Sequence, residues 1–358
     1  MNIVNHRKGL TRLKSAIASK DSLRIGYIGG SITEEPLKHN WPEYVSAWAK
    51  DTYPDKRIYA ENIGIGGTGS ELAVFRFDWE LADKDCDIIF IEFAVNDYWM
   101  PTSLRERTRE GLVRKILAKT NADIVFVYTY IQDLYDDMMA GVVPETIAEF
   151  ERIAEHYGIG SVWMAKRAFD SMTRGMISFE EWLPDGLHPA STGSRLYASA
   201  VIDYLAEETA SDANASDGID RDTPPLHPQN WENAKVLPFE SLNAQGNWII
   251  KSMYNRDIRY ALYTSSTTAA LSFSCRCRTV VMCRLFGSRC CGAVKYRING
   301  GEWQTDSREA LEWMGAADWM YQINLADSEE EQDYFVEIRG EKTDVGGSGL
   351  YITHIGII

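Results

Sequence analysis

The stretch Leu23-Arg24-Ile25-Gly26-Tyr27-Ile28-Gly29-Gly30-Ser31-Ile32-Thr33 decides how the rest of the chain is read. Residues 23–28 are apolar apart from Arg24 and Gly26, the pattern of a strand buried on both faces. Gly29-Gly30 then offers backbone angles closed to other residues, so the chain can leave the sheet in a sharp turn. Such a turn presents Ser31 at the carboxyl end of a strand, where open α/β sheets carry their sites. Alone, Gly-Gly-Ser fits a phosphate-binding turn or a plain strand exit as well as it fits a nucleophile.

Beyond this strand, helical and strand patterns alternate. A helix is expected from Trp41-Pro42, a strand over 57–65, a helix over 71–82 and a strongly apolar strand over 87–95. Helix over 104–120, strand over 123–130, helix over 144–157 closed by Gly158, strand over 161–165 and helix over 189–208 follow. Alternation of this kind predicts a parallel five-stranded sheet with helices on both faces, a flavodoxin-like three-layer α/β domain over 1–210. Residues 211–235 are rich in Asp, Ser, Asn and Pro and read as a linker. From 236 to 358 helical periodicity gives way to short alternating runs punctuated by Gly and Asn, including the hairpin signal Asn299-Gly300-Gly301. That pattern predicts an all-β sandwich of jelly-roll type.

The chain has 358 residues, a hydrophobic fraction of 45% and a formal net charge of −15. The acidity argues against nucleic acid and anionic membrane surfaces as partners. No window approaches the roughly 18 apolar residues of a membrane span. The basic first 21 residues place Leu10, Leu13 and Ile17 at helical spacing rather than in a signal-peptide run, so the expected location is cytoplasmic. Of six cysteines, Cys275 and Cys277 share one side of a strand, and neither a Cys-x-x-Cys nor a histidine pair accompanies the cluster from Cys275 to Cys291. Buried reduced thiols are expected there, not a metal site.

Four stretches carry the chemistry: Gly29-Gly30-Ser31, Asn62-x-Gly64-x-Gly66-Gly67, Val95-Asn96-Asp97 and Asp185-Gly186-Leu187-His188. The first three fall at the carboxyl edge of neighbouring strands, and the fourth precedes the last helix of the domain. Ser31 needs a base to become a nucleophile, and the imidazole of His188 can serve as one. Asp185 can hold the imidazole in the required tautomer. The N–H groups of Ser31 and Gly67 and the side-chain amide of Asn96 are candidate donors to an oxyanion. Glu34, Trp41, Tyr98, Trp99 and Trp182 lie close in sequence to these blocks and are candidate substrate contacts, with solvation or plain packing as the alternative for each. His6, His39, His156, His227 and His354 have no such company and read as structural or surface residues. Trp303, Trp313 and Trp319 suit a sugar platform or core packing equally.

These blocks resemble those of the SGNH (GDSL-like) hydrolase superfamily over residues 22–208, with Ser31, Gly67, Asn96 and His188 at the four name-giving positions and Asp185 in its Asp-x-x-His position. Gly-Gly-Ser stands here for the usual Gly-Asp-Ser, and Ala94 for a frequent Gly, which leaves the choice of Gly67 over Gly66 open. The two-domain layout resembles the mannan acetylesterases of carbohydrate esterase family 17, whose second domain is similar to a family 35 carbohydrate-binding module. The resemblance implies a serine esterase that removes acetyl groups from oligosaccharides, manno-oligosaccharides among them, without metal or organic cofactor. The same residues also suit a lipid, thioester or aryl esterase, or a carbohydrate-binding protein with an inert hydrolase scaffold.

Overall fold

The computed structural model describes residues 2–34, 40–211, 218–253, 258–287, 290–308, 317–346 and 349–358; His39 and Trp313 lie outside them, as does the side chain of Cys291. Two compact units divide the chain, Met1–Glu232 and Asn233–Ile358.

The first unit is built on six strands: β1 (Val4–Asn5), β2 (Ser22–Gly29), β3 (Arg57–Asn62), β4 (Ile88–Glu92), β5 (Asp123–Val127) and β6 (Gly160–Val162). Their helices are α1 (Thr11–Ser19), α2 (Ser31–Glu34), α3 (Trp41–Thr52), α4 (Ser70–Glu80), α5 (Thr102–Lys119), α6 (Tyr135–Met139), α7 (Glu145–Tyr157), α8 (Met164–Thr173), α9 (Phe179–Trp182) and α10 (Ser191–Ala210). Spatial order is β1-β6-β5-β4-β2-β3, with β2 to β6 parallel. The expected five-stranded parallel sheet is therefore present, with one addition. Two-residue β1 pairs antiparallel with β6, matching Val4 to Val162. A strand that short carries no readable periodicity, which is why the sequence pattern gives a helix there and nothing else.

Every residue of β4 and β5 is buried, as expected for central strands covered on both faces. β3 lies at the sheet edge and is largely exposed. From β2 the chain steps sideways to β3, then crosses back over β2 to reach β4. The loops after β2 and β4 thus leave in opposite directions, and a crevice opens between these strand ends. Ser31 follows β2 and Asn96 follows β4. Topology alone brings them together.

Residues 218–232 do not behave as a linker. Trp231 is fully buried and stacks edge-on to Phe75, with its backbone 2.6 Å from where a Cβ on Gly111 of α5 would lie. Arg221 donates to the carbonyls of Leu117, Thr120 and Ala122, and Glu110 accepts from the backbone N–H groups of Leu226 and His227. Asp, Asn and Pro break helices and strands, but they do not prevent a strap from being laced to a helix by hydrogen bonds.

The second unit is a β domain with nine strands among the described residues: β7 (Lys235–Leu237), β8 (Asn243–Gln245), β9 (Ile249–Ser252), β10 (Tyr260–Thr264), β11 (Ala270–Phe286), β12 (Cys291–Ile298), β13 (Gln304–Ser307), β14 (Trp319–Gly346) and β15 (Leu350–Ile357). All pairings among these strands are antiparallel. Among the alternating runs expected in this region, residues 270–286 form one long strand. A bulge between Cys277 and Thr279 shifts the register without ending the ladder. Asn299 and Gly300 take the left-handed conformation their hairpin requires, at φ 51° and 71°. Leu271, Val280, Met282, Val294, Val336, Ile338 and Ile352 form the fully buried centre of its core.

Candidate functional site

At the end of β2, two glycines are required by contact rather than by turn type. A Cβ on Gly30 would lie 1.9 Å from Asn96 Oδ1, and one on Gly29 would lie 2.6 Å from Thr33 Oγ1. The turn that carries Ser31 therefore presses against the loop after β4. Ser31 opens the four-residue helix α2, whose Glu34 N–H bonds back to the Gly30 carbonyl at 2.9 Å.

Asp185 and His188, on the loop before α10, reach this turn. His188 Nε2 is 2.9 Å from Ser31 Oγ, and Nδ1 is 2.8 Å from Asp185 Oδ2. The other carboxylate oxygen accepts from the backbone N–H groups of Leu187 (2.9 Å) and His188 (2.7 Å). Partial burial works to raise the Asp185 pKa, but hydrogen bonds from the His188 ring and from these two N–H groups outweigh it and hold the carboxyl below its usual value. An ionised carboxylate can only accept, so the proton of neutral His188 sits on Nδ1 and Nε2 is free to accept from Ser31. The three residues form a continuous hydrogen-bonded chain, Ser31 and His188 lying 157 positions apart in sequence.

On the turns after β2, β3 and β4, three donors have no partner among the described residues: the N–H groups of Ser31 and Gly67 and the Asn96 Nδ2. Gly66 N–H is different, since it donates to Glu34 Oε2 at 2.5 Å. That distinction favours Gly67 as the available donor, with its positive φ of 70°. Asp97, next to Asn96, is fully buried and fixes the loop. It accepts from Ser70 N–H and Oγ at the start of α4 and from Arg109 Nε of α5, at 2.9, 2.8 and 2.7 Å. Arg109 continues to Glu149 of α7, so a buried ion network stiffens the loop that carries Asn96.

The sequence did not mark Glu92 as part of the site. Fully buried at the end of β4, it accepts from Thr129 Oγ1 at 2.6 Å and from Thr33 Oγ1 at 3.1 Å. Burial pushes its carboxyl up to about 7, against the pull of these hydroxyls and of the Gly30 backbone. The readable signal was a lone carboxylate in an otherwise apolar strand.

Two of the five expected substrate contacts are corrected. Trp41 is fully buried, edge-on to Tyr27 and Phe90, with its indole N–H 3.3 Å from Thr33 Oγ1. Trp182 is fully buried among Tyr130, Phe169, Phe179 and Tyr197. Neither ring offers a face to a ligand. Glu34 uses its carboxylate on Gly66. Tyr98 and Trp99 follow Asn96, pack edge to face at 5.5 Å, and leave Trp99 66% exposed. In the β domain Trp303 lies against two guanidiniums, Arg297 and Arg339, each 4.7 Å from its ring centre. Cys275 and Cys277 do share a strand side, with sulfurs 3.7 Å apart, and Cys86, Cys283 and Cys290 are buried.

Residues 27–196 match the GDSL-like Lipase/Acylhydrolase family. No curated protein matches the chain. Among solved structures it is similar to a two-domain esterase (CEX) active on acetylated mannans, in two crystal structures. In the one co-crystallised with mannopentaose the TM-score is 0.83 at 23% identity, covering 99% of this chain and 96% of that one. In the other the TM-score is 0.84 at 24% identity, with the same coverage.

Proposed function

We propose that the chain, whose residues 27–196 carry a GDSL-like lipase/acylhydrolase domain, is a serine carbohydrate esterase that removes O-acetyl groups from oligosaccharides. The observation that carries this reading is the Asp185–His188–Ser31 relay, with three donors on the turns after β2, β3 and β4 that have no partner among the described residues. Ser31 Oγ attacks the acetyl carbonyl while His188 Nε2 takes its proton. The oxyanion is held by Ser31 N–H, Gly67 N–H and Asn96 Nδ2. Collapse expels the sugar hydroxyl, which receives the proton from His188, and leaves acetyl-Ser31. Water then gives a proton to His188 and attacks the acetyl carbon; collapse releases acetate as His188 returns that proton to Ser31 Oγ. Asp185 orients the ring and stabilises its charged form throughout.

Acetylated manno-oligosaccharide is the substrate class we favour, supported by the likeness along the whole chain to an esterase active on acetylated mannans. Trp99, exposed beside the Asn96 loop, suits stacking on a sugar ring. The experiment is mass spectrometry of a panel of acetylated oligosaccharides before and after incubation, with Ser31→Ala as control. Loss of 42 Da units (about the mass of one acetyl group less a proton) from manno-oligosaccharides only with the unaltered enzyme is expected. Hydrolysis of aryl octanoate in preference to every acetylated sugar would assign a lipid or aryl esterase instead.

A further inference from the structure

Glu34 stands three residues after Ser31, and its side chain spans two turns that the sequence separates by some thirty positions. Oε2 accepts from Gly66 N–H at 2.5 Å, while the neighbouring Gly67 N–H has no partner among the described residues. Its own backbone is fixed. Asn40 Nδ2 donates to the carbonyls of Thr33 (3.2 Å) and Glu34 (3.4 Å), and Asn62 Nδ2 donates to Thr33 O at 2.7 Å. Asn62 Oδ1 meanwhile accepts from Gly64 N–H at 2.9 Å, so one amide ties both turns. The turns are in van der Waals contact as well, since a Cβ on Gly64 would lie 2.6 Å from Glu34 N.

We propose that Glu34 is a positioning residue, whose carboxylate takes Gly66 N–H out of play and so aims Gly67 N–H at the developing oxyanion. Successive N–H groups in a turn of this kind form a concave anion cradle. Left unoccupied, both would compete for one oxyanion or for water, and Gly67, at φ 70° in a glycine-rich turn, has the freedom to swing away. A carboxylate also places negative charge near the oxyanion, which opposes catalysis. The benefit therefore comes from the oxygen acceptor and not from the charge. The proposal rests on the reading of Ser31 as nucleophile and names a further residue for that same reaction.

The experiment measures kcat, KM and thermal midpoint on an aryl acetate for the unaltered chain, Ser31→Ala, Glu34→Ala, Glu34→Asp and Glu34→Gln. Loss of a whole oxyanion donor costs about a hundred- to a thousandfold. Loss of its aim alone is expected to lower kcat about ten- to thirtyfold in Glu34→Ala with KM within about twofold, less than deleting a donor outright. Glu34→Gln keeps an acceptor oxygen at the same reach and is expected to retain kcat within about threefold. Should Glu34→Ala fail to fold, Glu34→Asp, one methylene short, carries the test with an intermediate loss. Equal loss in Gln and Ala, a rise in KM in place of a fall in kcat, or undiminished kcat in Ala and Asp would overturn it. Ser31-dependent hydrolysis with those results removes Glu34 alone. Hydrolysis that persists in Ser31→Ala, or is absent from the unaltered chain, removes the nucleophile assignment and this proposal together.

Discussion

Two histidines of the first unit are held by carboxylates, and they are held for opposite ends. His188 has Asp185 at Nδ1 and the Ser31 hydroxyl at Nε2, at 2.8 and 2.9 Å. His6 has carboxylates at both nitrogens, Glu208 at 2.5 Å and Glu207 at 2.8 Å, and its ring stacks on Tyr204. An imidazole with an acid on one side and a hydroxyl on the other can pass a proton, because one face gains what the other can release. With acids on both sides it gains most by staying charged, and it becomes a clasp between the N-terminal segment and α10. Burial alone would lower the His6 pKa, but the hydrogen bonds its ring donates to Glu208 and Glu207 outweigh that and raise it. A histidine beside a carboxylate is therefore not evidence of catalysis. The group at the second nitrogen decides.

The comparison breaks most sharply on the relay itself. Ser31→Ala and His188→Ala should each lower kcat on an aryl acetate by about a thousandfold or more, and the double variant should fall no further, since the residues act as a unit. His6→Gln should leave kcat within about twofold while His188→Gln loses nearly all of it. Asp185→Asn should cost roughly a hundred- to ten-thousandfold, because the amide can donate to Nδ1 and stabilise the wrong tautomer. Asn96→Ala removes one of the proposed oxyanion donors and should lower kcat about a hundred- to a thousandfold with little change in KM. Each is read from steady-state kinetics with thermal midpoints measured in parallel.

The smallest effect belongs to the clasp. A histidine whose folded pKa lies above its ordinary 6.5 contributes stability in full below that value and loses it as pH rises through the folded pKa. The His6 side chain is 41% exposed, so solvent screens the pairs and about 0.5 kcal/mol is the expected scale. His6→Gln should melt about 1–2 °C lower at pH 6, with the deficit shrinking by pH 9. A deficit that grows with pH would reverse the assignment.

How much of this was written in the sequence differs between these same two histidines. The relay was legible because Ser31, Gly67, Asn96 and Asp185-x-x-His188 each mark a strand end or a helix entry, and the crossover from β3 to β4 brings those ends to one crevice. The His6 clasp was not, because β1 is two residues long and its partners lie some 200 positions away. Aromatic residues misled for a related reason. Trp41 and Trp182 stand near the motifs in sequence, but proximity along a helix says nothing about which face is turned inward, and both rings are core. Trp99 is the one tryptophan beside the blocks with an open face. The Glu34 bond to Gly66 was not legible because that backbone N–H belongs to a different strand's loop. Residues 218–232 were read as a linker because hydrogen bonds to α5 leave no periodic trace. In the second unit, strand alternation was readable, whereas the bulge that joins two runs into β11 was not.

The most direct measurement is peptide mapping after exposure to a fluorophosphonate, which captures only a serine whose proton a neighbouring base removes. We expect one adduct per chain on the peptide carrying Ser31, absent from Ser31→Ala and formed far more slowly in His188→Ala. Turnover of acetyl ester by a chain whose Ser31 stays unlabelled, or labelling that is indifferent to His188, would contradict the account.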